Sequence, residues 1–284
     1  MDSRKTFAGL SLHRPRVMGV INVTPDSFSD GGDAFNRDAA VDRGLRLLDE
    51  GADILDIGGE STRPGATPVS VRQELDRVVP VIERLASGGV PISVDTRHAA
   101  VMAEAMKAGA RIINDVSALT TDADSLKIAA ESGADVVLMH MAGTPETMQE
   151  NPGYEAVVDD VRDYLEVRVN ACLAAGIVKE KIAVDPGIGF GKTLEHNLAL
   201  IRHLDRFQTL GCPVLLGVSR KSFIGAMVGV DEPRERMPGS VAAGLYGVLR
   251  GARILRVHDV AETLQAVAVW IAIAGQASRS SENR

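Results

Sequence analysis

Four times in this chain one short phrase returns: Gly-Ala, then Asp or Arg, then an apolar run that closes on a polar or charged residue. The copies begin at Gly51, Gly109, Gly133 and Gly251, and end at Asp56, at Asn114 and Asp115, at His140, and at His258 and Asp259. Glycine behind a helical pattern is a stop, because it accepts the left-handed conformation that ends helices. A run of aliphatic and β-branched residues without alternation is a strand buried on both faces, as in a parallel sheet. The polar ending then falls at the strand's carboxyl end, where parallel α/β folds carry their chemistry.

Further runs of the same kind bring the strands to eight, at 17–22, 53–57, 91–95, 111–114, 135–139, 181–185, 213–217 and 253–257. Helical periodicity covers 38–50, 71–86, 99–108, 157–174 and 195–204 between them. Eight strands alternating with helices, with no break in composition, predict an α/β protein built as a single (β/α)8 TIM barrel. Spacing alone does not show closure, so a doubly wound open sheet is the alternative. The expected division is an N-terminal segment over 1–14, a barrel domain over 15–275 and a small polar tail, disordered, over 276–284.

Composition narrows the function classes. The net charge is −7 with both signs intermixed, and aromatic residues make up only 4%, so a nucleic-acid partner is not expected. No apolar run approaches the ~20 residues of a membrane span. The first twelve residues lack a sustained apolar core, so the chain is expected to be cytoplasmic, and the Asn22-Val23-Thr24 glycosylation sequon carries no weight. Cys172 and Cys212 have no metal-ligand spacing and fit a reducing compartment.

The connections are uneven. Long Gly- and Pro-rich loops follow the first strand (22–32) and the second (58–65), and both read as an active-site lid. Along the last strand side chains alternate, which sets Arg256 and His258 on one face with Ile254 and turns Leu255 and Val257 to the outer helices. Arg256 then points toward the barrel axis or mouth and needs an anion, either an internal Asp or a bound phosphate. After the seventh strand, Ser219 is a candidate N-cap and Lys221 falls in the first helical turn, against the helix dipole. Asp95 and Asp185 each close a strand; each caps the next helix, or together with Asn114 they form a rim of acceptors and an amide suited to a heterocycle with a guanidine-like edge. Two carboxylates also bind metals, although no third ligand accompanies them at convincing spacing. His140 reads as a structural hydrogen-bonding residue. The segment from Gly187 to Thr193 imitates a P-loop, but position 186 is Pro where the motif requires Gly.

Taken together these segments resemble the dihydropteroate synthases, the folate-pathway enzymes that sulfonamides inhibit. The resemblance runs from about Val17 to Ala268 and rests on the 18–32 segment, Gly58 to Gly65, Asp185-Pro186-Gly187, Ser219 to Ser222 and Arg256 to Asp259. It implies condensation of 6-hydroxymethyl-7,8-dihydropterin diphosphate with p-aminobenzoate, giving 7,8-dihydropteroate and diphosphate. By the same resemblance, Asp95, Asn114, Asp185 and Lys221 would hold the pterin, and Arg256 and His258 the diphosphate. Asn22 would help to place Mg²⁺. Thr62 and Arg63 would contribute from the second loop, and Phe28, Pro64, Phe190 and Ser222 would wall the p-aminobenzoate pocket. The catalytic set implied is Asp95, Lys221, Arg256 and His258, and the assembly a homodimer. Two rivals share parts of this pattern. A methyltransferase barrel would use the pterin edge but has no need of a diphosphate site, and a catalytically silent pterin-binding paralogue would not need intact loops.

Overall fold

The computed structural model describes residues 6–24, 33–61, 68–144, 147–150 and 152–274. The chain opens with a two-stranded hairpin, β1 (Thr6–Phe7) and β2 (Leu10–Ser11), and continues into β3 (Arg16–Asn22). Helices and strands then alternate: α1 (Asp33–Asp49), β4 (Ile54–Gly58), α2 (Val71–Leu85), β5 (Ile92–Asp95), α3 (Ala99–Lys107), β6 (Ile112–Asp115), α4 (Ser125–Ser132), β7 (Asp135–Met139) and α5 (Val157–Ala174). The second half runs β8 (Ile182–Asp185), α6 (Leu194–Arg202), β9 (Val214–Leu216), α7 (Ser222–Val228), α8 (Met237–Leu249), β10 (Ala252–Val257) and α9 (Val260–Ile273). Strands β3 to β10 pair in parallel in sequence order, and β10 returns to pair with β3 through Ile254↔Arg16 and Arg256↔Met18. That last pairing closes the barrel and removes the open-sheet alternative.

The recurring phrase is a helix terminator followed by a strand. Gly51 has φ of 96°; its N–H reaches the Leu48 carbonyl at 2.9 Å, and the Ala52 N–H reaches Leu47 at 2.9 Å. Gly109 repeats this at φ of 113°, with Ala110 N to Ala105 O at 3.0 Å. These paired bonds are the Schellman arrangement, in which the left-handed residue lets two orphan carbonyls of the last turn be satisfied. The acidic residue that follows is structural in two copies. Asp53 accepts from Arg14 and Arg16 at 2.6–2.8 Å and from Val17 N at 2.9 Å, and Asp135 accepts from Ala8 N at 3.1 Å.

Alternation along the strands sorts the interior. Met18, Ile54, Ile112, Val137, Ala183, Leu215 and Ile254 fill the barrel, and the N-terminal hairpin adds Phe7, Ala8 and Leu12 from below. Part of the 1–14 segment is therefore built into the barrel floor. Leu55, Ile57, Val94, Ile113, Leu138, Val184, Leu255 and Val257 join the outer core beneath the helices, as the strand alternation predicts for the last two. Two residues further along each strand, the interior positions become Val20, Asp56, Asp95 (above buried Ser93), Asn114, Met139, Asp185, Gly217 and Arg256. The fold thus changes from oil to ions within one step of the pleat. Among the described residues no helix is long and apolar enough to cross a membrane.

Candidate active site

Arg256 is the hub of the polar layer. Its Nε donates to Asp56 Oδ2 and its Nη2 to Asp95 Oδ2, each at 2.6 Å. Of the two partners the sequence leaves open for Arg256, the structure supplies the internal carboxylate, twice over. Among the described residues two of the five guanidinium N–H groups are engaged, which leaves three for a ligand anion. The Asp56 side chain is fully buried, whereas Asp95 and Arg256 retain 12% and 24% exposure toward the mouth. One guanidinium does not compensate two buried carboxylates. Burial, with Asp56 adding repulsion and Arg256 opposing it, pushes the Asp95 carboxyl up to about 7. Burial also works against the Arg256 charge, but Asp56 and Asp95 outweigh it and hold the guanidinium above its ordinary value.

Asn114 and Asp185 extend the layer. The Asn114 amide nitrogen lies 3.4 and 3.3 Å from the two oxygens of Asp56, a long bifurcated contact. Asp185 Oδ1 accepts from Gly187 N at 2.7 Å, so a local turn uses one oxygen. Burial raises the Asp185 carboxyl above its usual range, with Lys221 opposing. Neither Asp95 nor Asp185 caps a helix: the N-cap before α3 is His98, and that before α6 is Thr193. Gly217 leaves open the interior position between Asp185 and Arg256, since a Cβ there would stand 3.9 Å from Asp185 Oδ2 and 3.8 Å from Arg256 Cβ.

The loop after β9 corrects one expectation. Ser219 is not the N-cap of α7; Lys221 is, with φ of −68° and ψ of 151°, and Ser222 is the first helical residue. The reason is Arg220, whose φ of 61° turns the chain left-handed and delays the helix past it. Its guanidinium is fixed on Asp259 at 2.5 and 3.1 Å, and its N–H reaches Ser240 Oγ at 2.8 Å. Ser219 Oγ instead meets His258 Nδ1 at 3.0 Å and accepts the His258 backbone N–H at 3.1 Å. Lys221 therefore lies at the cap rather than within the first turn. Its Nζ donates to the Ile188 carbonyl and stands 4.7 Å from the centre of the Phe190 ring. Burial, opposed by Asp185, brings the Lys221 ammonium down to about 8.

One buried cation was not legible in the sequence. Lys192, set aside there with the P-loop imitation, is only 3% exposed and contacts His140 Nδ1 at 3.0 Å, Phe190 O at 2.8 Å and His140 O at 3.3 Å. It ties the segment carrying Phe190 to the end of β7. Burial, with Lys221 nearby, draws its pKa down to about 7, and burial with Lys192 draws His140 to about 3. His140 thus has the structural hydrogen bond expected of it. Asn22 ends β3 half-buried, opposite Gly58. Phe28, Thr62, Arg63 and Pro64 lie outside the described residues. The structure brings Asp95, Asn114, Asp185 and Arg256 into one layer with Asp56, and sets Lys221, Phe190 and His258 on the connections beyond the strand ends and Ser222 at the first position of α7.

The chain as a whole has similar counterparts. Residues 18–258 match the family described as "Pterin binding enzyme". A dihydropteroate synthase of Neisseria meningitidis serogroup B is 50% identical over 269 residues, covering 93% of this chain and 94% of its own. A Xanthomonas albilineans dihydropteroate synthase structure with 4-aminobenzoic acid superposes with a TM-score of 0.90 at 52% identity, covering 96% of this chain and 99% of that one. A Yersinia pestis dihydropteroate synthase in a sulfonamide drug complex follows at a TM-score of 0.89 and 48% identity, with 94% and 96% covered.

Proposed function

The chain belongs to the pterin-binding enzymes, among the dihydropteroate synthases, and from that membership we propose how its residues divide the reaction. The substrates are 6-hydroxymethyl-7,8-dihydropterin diphosphate and p-aminobenzoate, and the products 7,8-dihydropteroate and diphosphate. The observation that carries the assignment is a set of acceptor oxygens around Arg256. Asp95 Oδ1, Asn114 Oδ1 and Asp185 Oδ2 have no hydrogen-bond donor among the described residues, while their companion atoms are engaged. Three acceptors beside a cation fit the N–H-rich edge of a pterin. Lys221 stands beside them to donate to the ring's oxo group.

The hard step is heterolysis of the methylene carbon–oxygen bond. The electron pair leaves with the diphosphate, and the positive charge on the methylene is shared with the dihydropterin ring. The unused N–H groups of Arg256, with His258, meet the departing anion, where fixed donors in a buried site act most strongly. The Asp95 carboxylate stabilises the ring cation. The neutral aryl amine then forms the new carbon–nitrogen bond and gives up one proton to the departed diphosphate or to solvent, with no strong general base required. Phe190 and Ser222, with Phe28 and Pro64, would wall the p-aminobenzoate side, which is also where sulfonamides would act, and Thr62 and Arg63 would contribute from the second loop.

Mg²⁺ binds hard oxygen ligands, keeps waters and shares substrate phosphates, and Asn22, half-buried at the end of β3, would offer it an amide oxygen. When bound it would supply charge neutralisation of the diphosphate. The domain division proposed is 15–275 for the pterin-binding barrel. A homodimer is also proposed, to be checked by sedimentation. Activity is tested by incubating the protein with the diphosphate substrate, p-aminobenzoate and Mg²⁺ and quantifying both products. Pterin binding without turnover would refute the assignment.

A further inference from the structure

Asp56 lies in the same polar layer as the three acceptor oxygens, fully buried on β4, and touches two of the groups proposed to meet the ligand. Its Oδ2 takes the Arg256 Nε–H at 2.6 Å, and both its oxygens face the Asn114 amide nitrogen at 3.4 and 3.3 Å. An ionised carboxylate accepts hydrogen bonds and donates none. The end of Asn114 turned toward it must therefore be the NH₂ group, because the opposite orientation would set a carbonyl oxygen against a carboxylate. A primary amide has no other strong preference between its two faces. What points away from Asp56 is then Asn114 Oδ1, an acceptor.

We propose that Asp56 is a positioning residue for substrate recognition: by holding the Asn114 NH₂ it makes Asn114 present its carbonyl oxygen to the pterin, so that the site reads N–H donors along that edge. This rests on the assignment of Asn114 to the pterin site. The simpler role, counter-ion to Arg256, is also filled by Asp95 at the same 2.6 Å and does not account for the carboxylate's place between Arg256 and Asn114. The two roles separate in an Asp56→Asn variant. The amide at 56 keeps an oxygen for Arg256 Nε, which turns its own NH₂ toward Asn114. Asn114 must then flip, and it offers the ligand a donor where the pterin also has one.

The test is a double-mutant cycle on the affinity for 6-hydroxymethyl-7,8-dihydropterin by calorimetry, with Asp56→Asn, Asn114→Ala and the pair. Asp56→Asn is expected to weaken binding tenfold or more, and by less than twofold in the Asn114→Ala background. Equal losses in the two backgrounds would overturn the proposal while leaving Asn114 in the site. An Asn114→Ala variant with wild-type affinity would overturn the site assignment itself.

Discussion

Removing the hub of the polar layer should expose what it neutralises. In Arg256→Met the aliphatic volume is nearly kept, but Asp56 and Asp95 lose the guanidinium that each contacts at 2.6 Å. Breaking a buried ion pair from one side costs about 3–5 kcal/mol, since the stranded charge stays buried. The variant can escape by binding a proton, and this gives the effect a signature. In the wild type the Asp95 carboxyl titrates at about 7, against about 3.9 for an unfolded aspartate. A carboxyl raised on folding gives stability that is fully present below its unfolded pKa of about 3.9 and is lost as pH rises from there to the folded value. Without the guanidinium the folded variant keeps about one more proton than the wild type between pH 7 and 8.5. The gap between the two should widen by about 1.4 kcal/mol per pH unit over that window. Urea unfolding of both proteins at several pH values measures it, and Asp95→Asn added to the variant should recover much of the loss. A destabilisation under 1 kcal/mol, or one that does not change with pH, would refute the reasoning.

Three further outcomes are expected. The kcat/KM for the pterin substrate should rise through about pH 7 as Asp95 ionises and fall through about pH 8 as Lys221 loses its proton; Asp95→Asn should abolish the first limb and lower kcat more than pterin affinity, and Lys221→Arg the second. Lys192 has its pKa drawn down to about 7, so folding is disfavoured by its protonation below that value and relieved toward the ordinary lysine value. Denaturation at pH 7 and 9 should show wild type gaining on Lys192→Met by up to ~1.4 kcal/mol per unit, and parallel curves would exclude a buried titrating lysine. Gly109→Ala should cost ~1–2 kcal/mol, because a side chain at φ of 113° is strained and its Cβ would stand 2.9 Å from that of Ala86; a variant with the wild-type urea midpoint would contradict the terminator role.

What the sequence made legible follows from period. Strands buried on both faces and glycine stops are local signals, so the eight barrel strands and the alternation at Ile254, Arg256 and His258 could be read without a structure. The hairpin of Thr6–Phe7 and Leu10–Ser11 is too short to show a period, and its place in the floor depends on Met18, Ile54 and Ile112 far along the chain. Asp56 carried a usable signal, since it stands two residues after interior Ile54, but its phrase reads equally well as a strand ending. The start of α7 could not be read, because it turns on the left-handed backbone of Arg220. Nor could Lys192, because nothing in its neighbours in sequence announces that His140 will close over it.

The empty interior position at Gly217 offers a separate handle on this enzyme. A methyl group there would meet only ordinary van der Waals neighbours, at 3.8 Å and beyond, so Gly217→Ala leaves the protein's own geometry undisturbed. The same methyl would occupy space that opens between a carboxylate and a guanidinium. It would act as a stopper of one carbon, shrinking the substrate cavity while every charge, hydrogen bond and loop stays as it was. Loss of pterin affinity in that variant reports shape alone, whereas changes at Asp56, Asp95, Asn114, Asp185 or Arg256 alter shape and electrostatics together.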